Sequence, residues 1–412
     1  MQNEKLIEKL NSKRYFFRKL ALKELKKREL LDGALLPNKD SRGVNLSIHT
    51  HHSFSPYSPT LAAYMAYKSG MKLVSACDYG TDKGAEEFAH ACKVLGISSL
   101  DGFEATLRRE NGEDAVCSFY SLSKECMQQF KPLLEEFRLV CERRARTVCE
   151  KINDKLKVHS LNIDFDKDVV SRVKIKSGST LTIKHLFMAT GEKLIEKLGK
   201  GKTLADFLRE TLCLDIEEGV YNLLCDINNP FYKYDLISAL RHNFGGTDAN
   251  LTPPNLADFM QIAKQHGAIV AYQYNAPKNW LKNQTETQKT LEDFKRIILN
   301  AKEEGFTAIS ISSKNLNDDL VVQFVNLIKE NNMLAVFTVK TEYPRNRFEV
   351  AVPSACREYL ELCAYAMVGN LRSMLEDPNE RLFRKNGKKT DDFYSRIMLF
   401  AQVGKMQRPI KD

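Results

Sequence analysis

The run Ser47-Ile48-His49-Thr50-His51-His52-Ser53 puts three of the chain's eight histidines into four residues, directly after an apolar segment. Imidazole nitrogen is a common ligand for Zn, Mn or Fe, and residues two apart on an extended segment face the same way, so an H-x-H step can offer two nitrogens to one ion. A hydrolytic metal centre needs three or more protein ligands and an open position for water. Asp78 and Glu104 are the carboxylates placed to join such a set, while no histidine follows His266, so the rest of the chain supplies no imidazole. His49 and His51 form such a step.

The elements that must carry these residues alternate. Residues 44–49, 73–77 and 97–100 read as short apolar strands, and 61–69 and 85–95 as amphipathic helices stopped by Gly70 and Gly96. The rhythm returns later, with helices expected over 256–266, 287–304 and 316–331 and strands over 268–272, 308–311 and 334–338. Strands alternating with helices at this spacing imply βαβ units and a parallel sheet. Between the two stretches, 115–121 can still form a strand, but 124–157 and 182–211 read as charged helices. One α/β barrel interrupted by a helical insertion accounts for this better than two domains. The expected divisions are 1–36 as a single N-terminal helix, 37–110 as the first part of the barrel, 111–254 as the insertion, 255–365 as the second part and 366–412 as a C-terminal tail, loosely packed from Asp377 on.

The chain has 412 residues, 43% of them apolar, and can bury a large core. It has no run of 18 apolar residues, and its ten scattered cysteines form no C-x-x-C pair, so reduced core thiols in a cytoplasmic protein without a membrane partner are expected. The net charge is +9, with basic residues concentrated at 13–27, 138–157, 193–202 and 381–389. Such helices can attract phosphate-bearing ligands or RNA, although most basic runs are solvated faces.

The residues that close successive strands are Ser47 and His49, Asp78-Tyr79-Gly80, Glu104 in Gly102-Phe103-Glu104, Tyr272-Gln273-Tyr274 and Lys340-Thr341-Glu342. This ordered set resembles the PHP (polymerase and histidinol phosphatase) superfamily of metal-dependent phosphoesterases. In the insertion, Arg143-Arg144-Ala145-Arg146, Lys184-His185-Leu186-Phe187-Met188 and Leu204-Ala205-Asp206-Phe207-Leu208 resemble the helical domain of members that hydrolyse nucleoside bisphosphates or trim short RNA. The resemblance implies a distorted (β/α)7-type barrel with a helical insertion. The family's H-x-H pair, followed by a Ser four residues on, aligns with Ser47 and His49 ahead of Ser53, or in the alternative register with His49 and His51, since a shift of two residues preserves the face; the resemblance thus implies His49, Asp78 and Glu104, with His51 in that second register, as surviving metal ligands. Ser47, Tyr79, Tyr272 (or Tyr274) and Lys340 (or Glu342) then stand where the family has other ligands. The cofactor implied is one divalent metal (Mn, Zn or Fe), or none if the site is degenerate. Arg108, Arg143 and Arg345 are candidate phosphate ligands if they face the barrel mouth. Lys340 has a reading of its own, as an ammonium that takes the place of a lost cation beside Asp78 or Glu104. The function expected is binding of a phosphorylated small molecule or nucleotide with weak or no hydrolysis, nucleic acid being a further partner for the basic insertion. The alternative is an active phosphoesterase with a reduced metal site.

Overall fold

The computed structural model describes residues 2–31, 43–173, 175–246, 251–275, 284–311, 317–383 and 392–406. One seven-stranded sheet organises it, with β1 (Gly43–Ile48), β2 (Met71–Tyr79), β3 (Ser98–Arg108), β4 (Asp114–Tyr120), β5 (Ile269–Tyr274), β6 (Ala308–Ile311) and β7 (Leu334–Phe337) in sequential order. β1, β2 and β3 run parallel, as do β5, β6 and β7, whereas β4 is antiparallel to both its neighbours. The turn before β4 contains Asn111-Gly112, with Gly112 at φ 82°, the geometry a tight hairpin requires.

The sheet curls into a nearly closed barrel, and side chains complete it. The Asn45 amide donates to Val339 O (3.0 Å) and Phe348 O (3.1 Å), and the His49 N–H donates to Thr341 Oγ1 (3.1 Å). Inside, the Tyr120 hydroxyl donates to Leu46 O across the lumen. A Cβ on Gly102 would lie 2.9 Å from both Phe119 O and the Tyr120 ring, so this position admits only glycine without displacement.

Helices cover the wall. Pro59–Lys68 starts at Ser58, whose hydroxyl accepts from the Leu61 N–H, and Ala85–Leu95 ends on left-handed Gly96. The N-terminal region is two helices, Gln2–Lys9 and Tyr15–Leu31, and not the single one expected. The break falls at Asn11, whose side chain bonds Pro56 O and the Ser58 N–H and ties the turn to the loop after β1. Ser354–Glu376 is a largely buried helix, and in the tail Phe393–Lys405 packs tightly across it at Gly369 and Gly404, in place of the loosely packed helix expected there. The basic turn at 385–389 lies outside the described residues.

Helices Lys124–Leu156, Ile183–Leu198 and Tyr232–Phe244 form the insertion around a second apolar core, into which the barrel loops send Phe54 and Tyr343. Among the described residues no helix is long and apolar enough to cross a membrane.

Candidate active site

The parity of the strands decides which side chains enter the barrel mouth. Glu104 on β3 pairs in register with Ser118 on β4, which pairs with Ala271 on β5, so Gln273, two residues further, shares their inward face. Tyr272 and Tyr274 therefore point outward. Tyr272 packs on Phe306 and under the Arg109 guanidinium, and Tyr274 packs on Phe294. The β5 residue in the site is Gln273, and the assignment of Tyr272 or Tyr274 to that position is corrected. The alternation of two aromatics around one amide carried that signal, since the outer face of a helix-covered barrel is the apolar one.

Glu104 is fully buried and lies at the centre of the cluster. Its Oε1 accepts from His49 Nε2 at 3.0 Å, and its Oε2 accepts from Gln273 Nε2 at 2.5 Å and from the Lys340 ammonium at 2.6 Å. Burial alone would raise its pKa, but the charges of Lys340 and His49 outweigh it and hold the carboxyl well below the usual range. Lys340, desolvated yet facing Glu104 and Glu342, is pushed up. The second carboxylate is satisfied differently. Asp78 accepts from the Thr50 N–H (2.7 Å), the Thr50 hydroxyl (2.6 Å) and the Ser53 hydroxyl (2.7 Å), all neutral donors. A Cβ on Gly84 would come within 2.9 Å of Asp78 Oδ2, so the start of helix Ala85–Leu95 closes over this carboxylate. Ser53 lies between the halves, 3.3 Å from His49 Nδ1.

A second ion pair lies at the mouth. Lys184, on the first turn of Ile183–Leu198, meets Glu342 Oε1 at 2.5 Å, and His49 Nδ1 lies 4.0 Å from the same oxygen. Glu342 is lowered to about 2, because Lys184, His49 and Lys340 overcome the effect of its burial. Beside this pair, His185 accepts from the Thr182 N–H and packs edge-on against Phe54; burial lowers its pKa to about 4. The Thr180 N–H donates to His52 O, and Arg138 donates to Gly80 O, so the insertion is bonded to the loops after β1 and β2.

The remaining candidates fall elsewhere. His51 is in the turn after β1, its N–H bonded to Tyr57 O, its ring against His52 and its buried Nε2 without a partner; burial lowers its pKa to about 4. Ser47 is buried on β1 with its hydroxyl unpartnered. Tyr79 donates to Thr106 Oγ1 under Phe137, and burial raises its pKa. Arg108 is paired with Asp114 and Arg345 with Asp235, while Arg143 is exposed on its helix; none of the three bonds to the cluster.

No family model matches the chain, and no curated protein matches it in sequence. Solved structures do match. An amidohydrolase from Chromobacterium violaceum, with sulfate bound and no metal, superimposes with a TM-score of 0.51 at 15% identity, over 78% of this chain and 96% of that one. A protein from Bifidobacterium adolescentis assigned as a metal-dependent phosphoesterase gives 0.50 at 14% identity with the same coverage. The chain shares its barrel fold with these two proteins.

Barrels of this kind raise the question of a metal, and the donor set here does not fit one. Glu104, held ionised, only accepts, so His49 Nε2 carries its hydrogen toward it and has no lone pair to give there. The other Glu104 oxygen is occupied by an ammonium, and Asp78 already accepts from three neutral donors, two on Oδ1 and one on Oδ2. Among the described residues no group of three His, Cys, Asp or Glu side chains is arranged to hold an ion.

Proposed function

We propose that this protein is a divergent hydrolase-like barrel of the PHP type in which Lys340 stands as a fixed ammonium where a cation would sit, and which binds a phosphorylated small molecule or nucleotide at its mouth with weak or no hydrolysis. The observation that carries the reading is the Lys340 to Glu104 contact of 2.6 Å, which places the ammonium on a carboxylate otherwise required as a ligand. Replacing a mobile ion by a tethered one removes the Lewis acid and the activated water, the two contributions on which metal-assisted hydrolysis depends. It keeps a positive charge for an anionic ligand. The Lys340 side chain remains 36% exposed, so it can reach an arriving oxyanion while holding Glu104. The buried Ser47 hydroxyl, on β1 two residues before His49, is a hydrogen-bonding group without a partner in the barrel. The sulfate in the amidohydrolase of the same fold supports an oxyanion as the class of ligand.

The test is metal analysis of the purified protein after exposure to Mn, Zn and Fe, alongside assays with a generic phosphodiester and a nucleoside bisphosphate. Substoichiometric metal, no turnover, and a thermal shift with nucleoside bisphosphate that disappears in Lys340→Met are expected. Near-stoichiometric metal with turnover abolished by His49→Ala or Glu104→Ala would instead establish a working phosphoesterase with a reduced site.

A further inference from the structure

The helix Tyr15–Leu31 is anchored to the barrel wall by one face. Ala21, Leu22 and Leu25 are buried, and Arg18 is bonded to Glu87. Its opposite face carries large apolar side chains in water, with Phe16 65%, Leu20 50% and Phe17 48% exposed, close together over little more than one turn. Other exposed apolar residues are expected singly on any surface, but three adjacent ones call for a cover. The surroundings name its charge. From Lys13 to Arg28 the sequence holds eight basic residues and one acidic, Glu24, which is bonded to Arg28. Lys13 and Arg14, just before the helix, and Lys23 and Lys27 on it are exposed, and Phe16, Leu20, Lys23 and Lys27 fall on one line of the helix at steps of three and four. Glu86 and Glu87 face Tyr15, and Glu87 is bonded to Arg18 on the anchored face.

We propose that this ridge seats the protein on an anionic lipid surface, Phe16, Phe17 and Leu20 entering the interface while the lysines contact the headgroups. An interfacial helix has this composition, an apolar strip bordered by Lys and Arg, and needs no spanning segment. The geometry favours a plane over other anionic partners. The Phe16 and Phe17 rings are inclined at 70°, which offers no flat platform for successive nucleic-acid bases, and a partner helix is received by a groove, whereas these side chains project.

Co-sedimentation of the full chain with vesicles of mixed phosphatidylglycerol and phosphatidylcholine tests this, with phosphatidylcholine vesicles alone as control. Binding only to the anionic vesicles is expected. It should weaken with added salt, and by about tenfold or more in Phe16→Ser/Phe17→Ser and in Lys23→Glu/Lys27→Glu. All four positions are exposed, and an unchanged melting temperature will show that the variants fold. Equal binding by wild type and both variants, or no anionic-vesicle binding at low salt, overturns the proposal. So does loss, in the same variants, of binding to single-stranded RNA or to an acidic peptide when vesicles are not bound.

Discussion

Lys340 and Glu342 divide the work of neutralising the mouth, and each makes a separable prediction. Removing the ammonium in Lys340→Met leaves Glu104 buried with two hydrogen bonds and no full countercharge. Breaking a wholly buried pair costs roughly 3–5 kcal/mol, but water reaching a partly exposed Lys340 screens this one, so a loss of about 2 kcal/mol is expected in urea unfolding. Adding Glu104→Gln should recover part of it, and a double-mutant cycle measures the coupling. Glu342 controls acid stability. Its folded pKa of about 2 lies below the usual value of 4.5, so its contribution is complete above pH 4.5 and is lost as pH falls toward 2. Glu342→Gln should therefore flatten the stability profile in that window. The histidines act earlier. Folded His51 and His185, near 4, bind fewer protons than in the unfolded chain between pH 6.5 and 4, so stability declines as pH falls through that interval. His185→Gln keeps an acceptor at the helix start and removes one titration, so its profile should be shallower there.

At the scale of elements, close backbone approach governs the C-terminal helix pair. A Cβ on Gly404 would lie 2.0 Å from Tyr365 O, and one on Gly369 1.8 Å from Phe400 O. Gly404→Ala must force the two helices apart and should lower stability by about 2–3 kcal/mol. Gly219, exposed in helix Glu218–Cys225 with open space at its Cβ, is the contrasting case; Gly219→Ala should raise stability by about 0.5 kcal/mol. Thermal melts of both variants give the comparison. Elements with a local signature were legible in the sequence: Gly96 ends its helix where expected, and 256–266 and 308–311 match the observed elements residue for residue. What local patterning did not reveal depends on distant partners. The break at Asn11 exists because its side-chain amide donates to Pro56 O and accepts from the Ser58 N–H, and the antiparallel direction of β4 follows from the Asn111-Gly112 turn, a signal present but outweighed by the surrounding parallel rhythm.

Across the whole molecule, the barrel with its helical region followed from the alternation of periods, whereas Glu104, expected to close a strand, lies within the longer β3, and Lys340 lies three residues beyond β7. Gln273 and Lys184 were not legible as site residues, since they come from segments far along the chain and meet the cluster only through sheet parity and the docking of the insertion. That docking is itself testable. Lys184→Met deprives Glu342 of its partner and should speed amide exchange at Thr180 and along Ile183–Leu198 without altering exchange in β5 and β6. The join between β1 and β7 has a different kind of consequence. Six pairings of the wall are backbone ladders, while the seventh relies on one asparagine and its neighbours. Pulled from points on opposite sides of that join, the molecule should yield along it first, as a split ring opens at its gap, and a single Asn45→Ala change should lower the force required while leaving every other ladder to break as before.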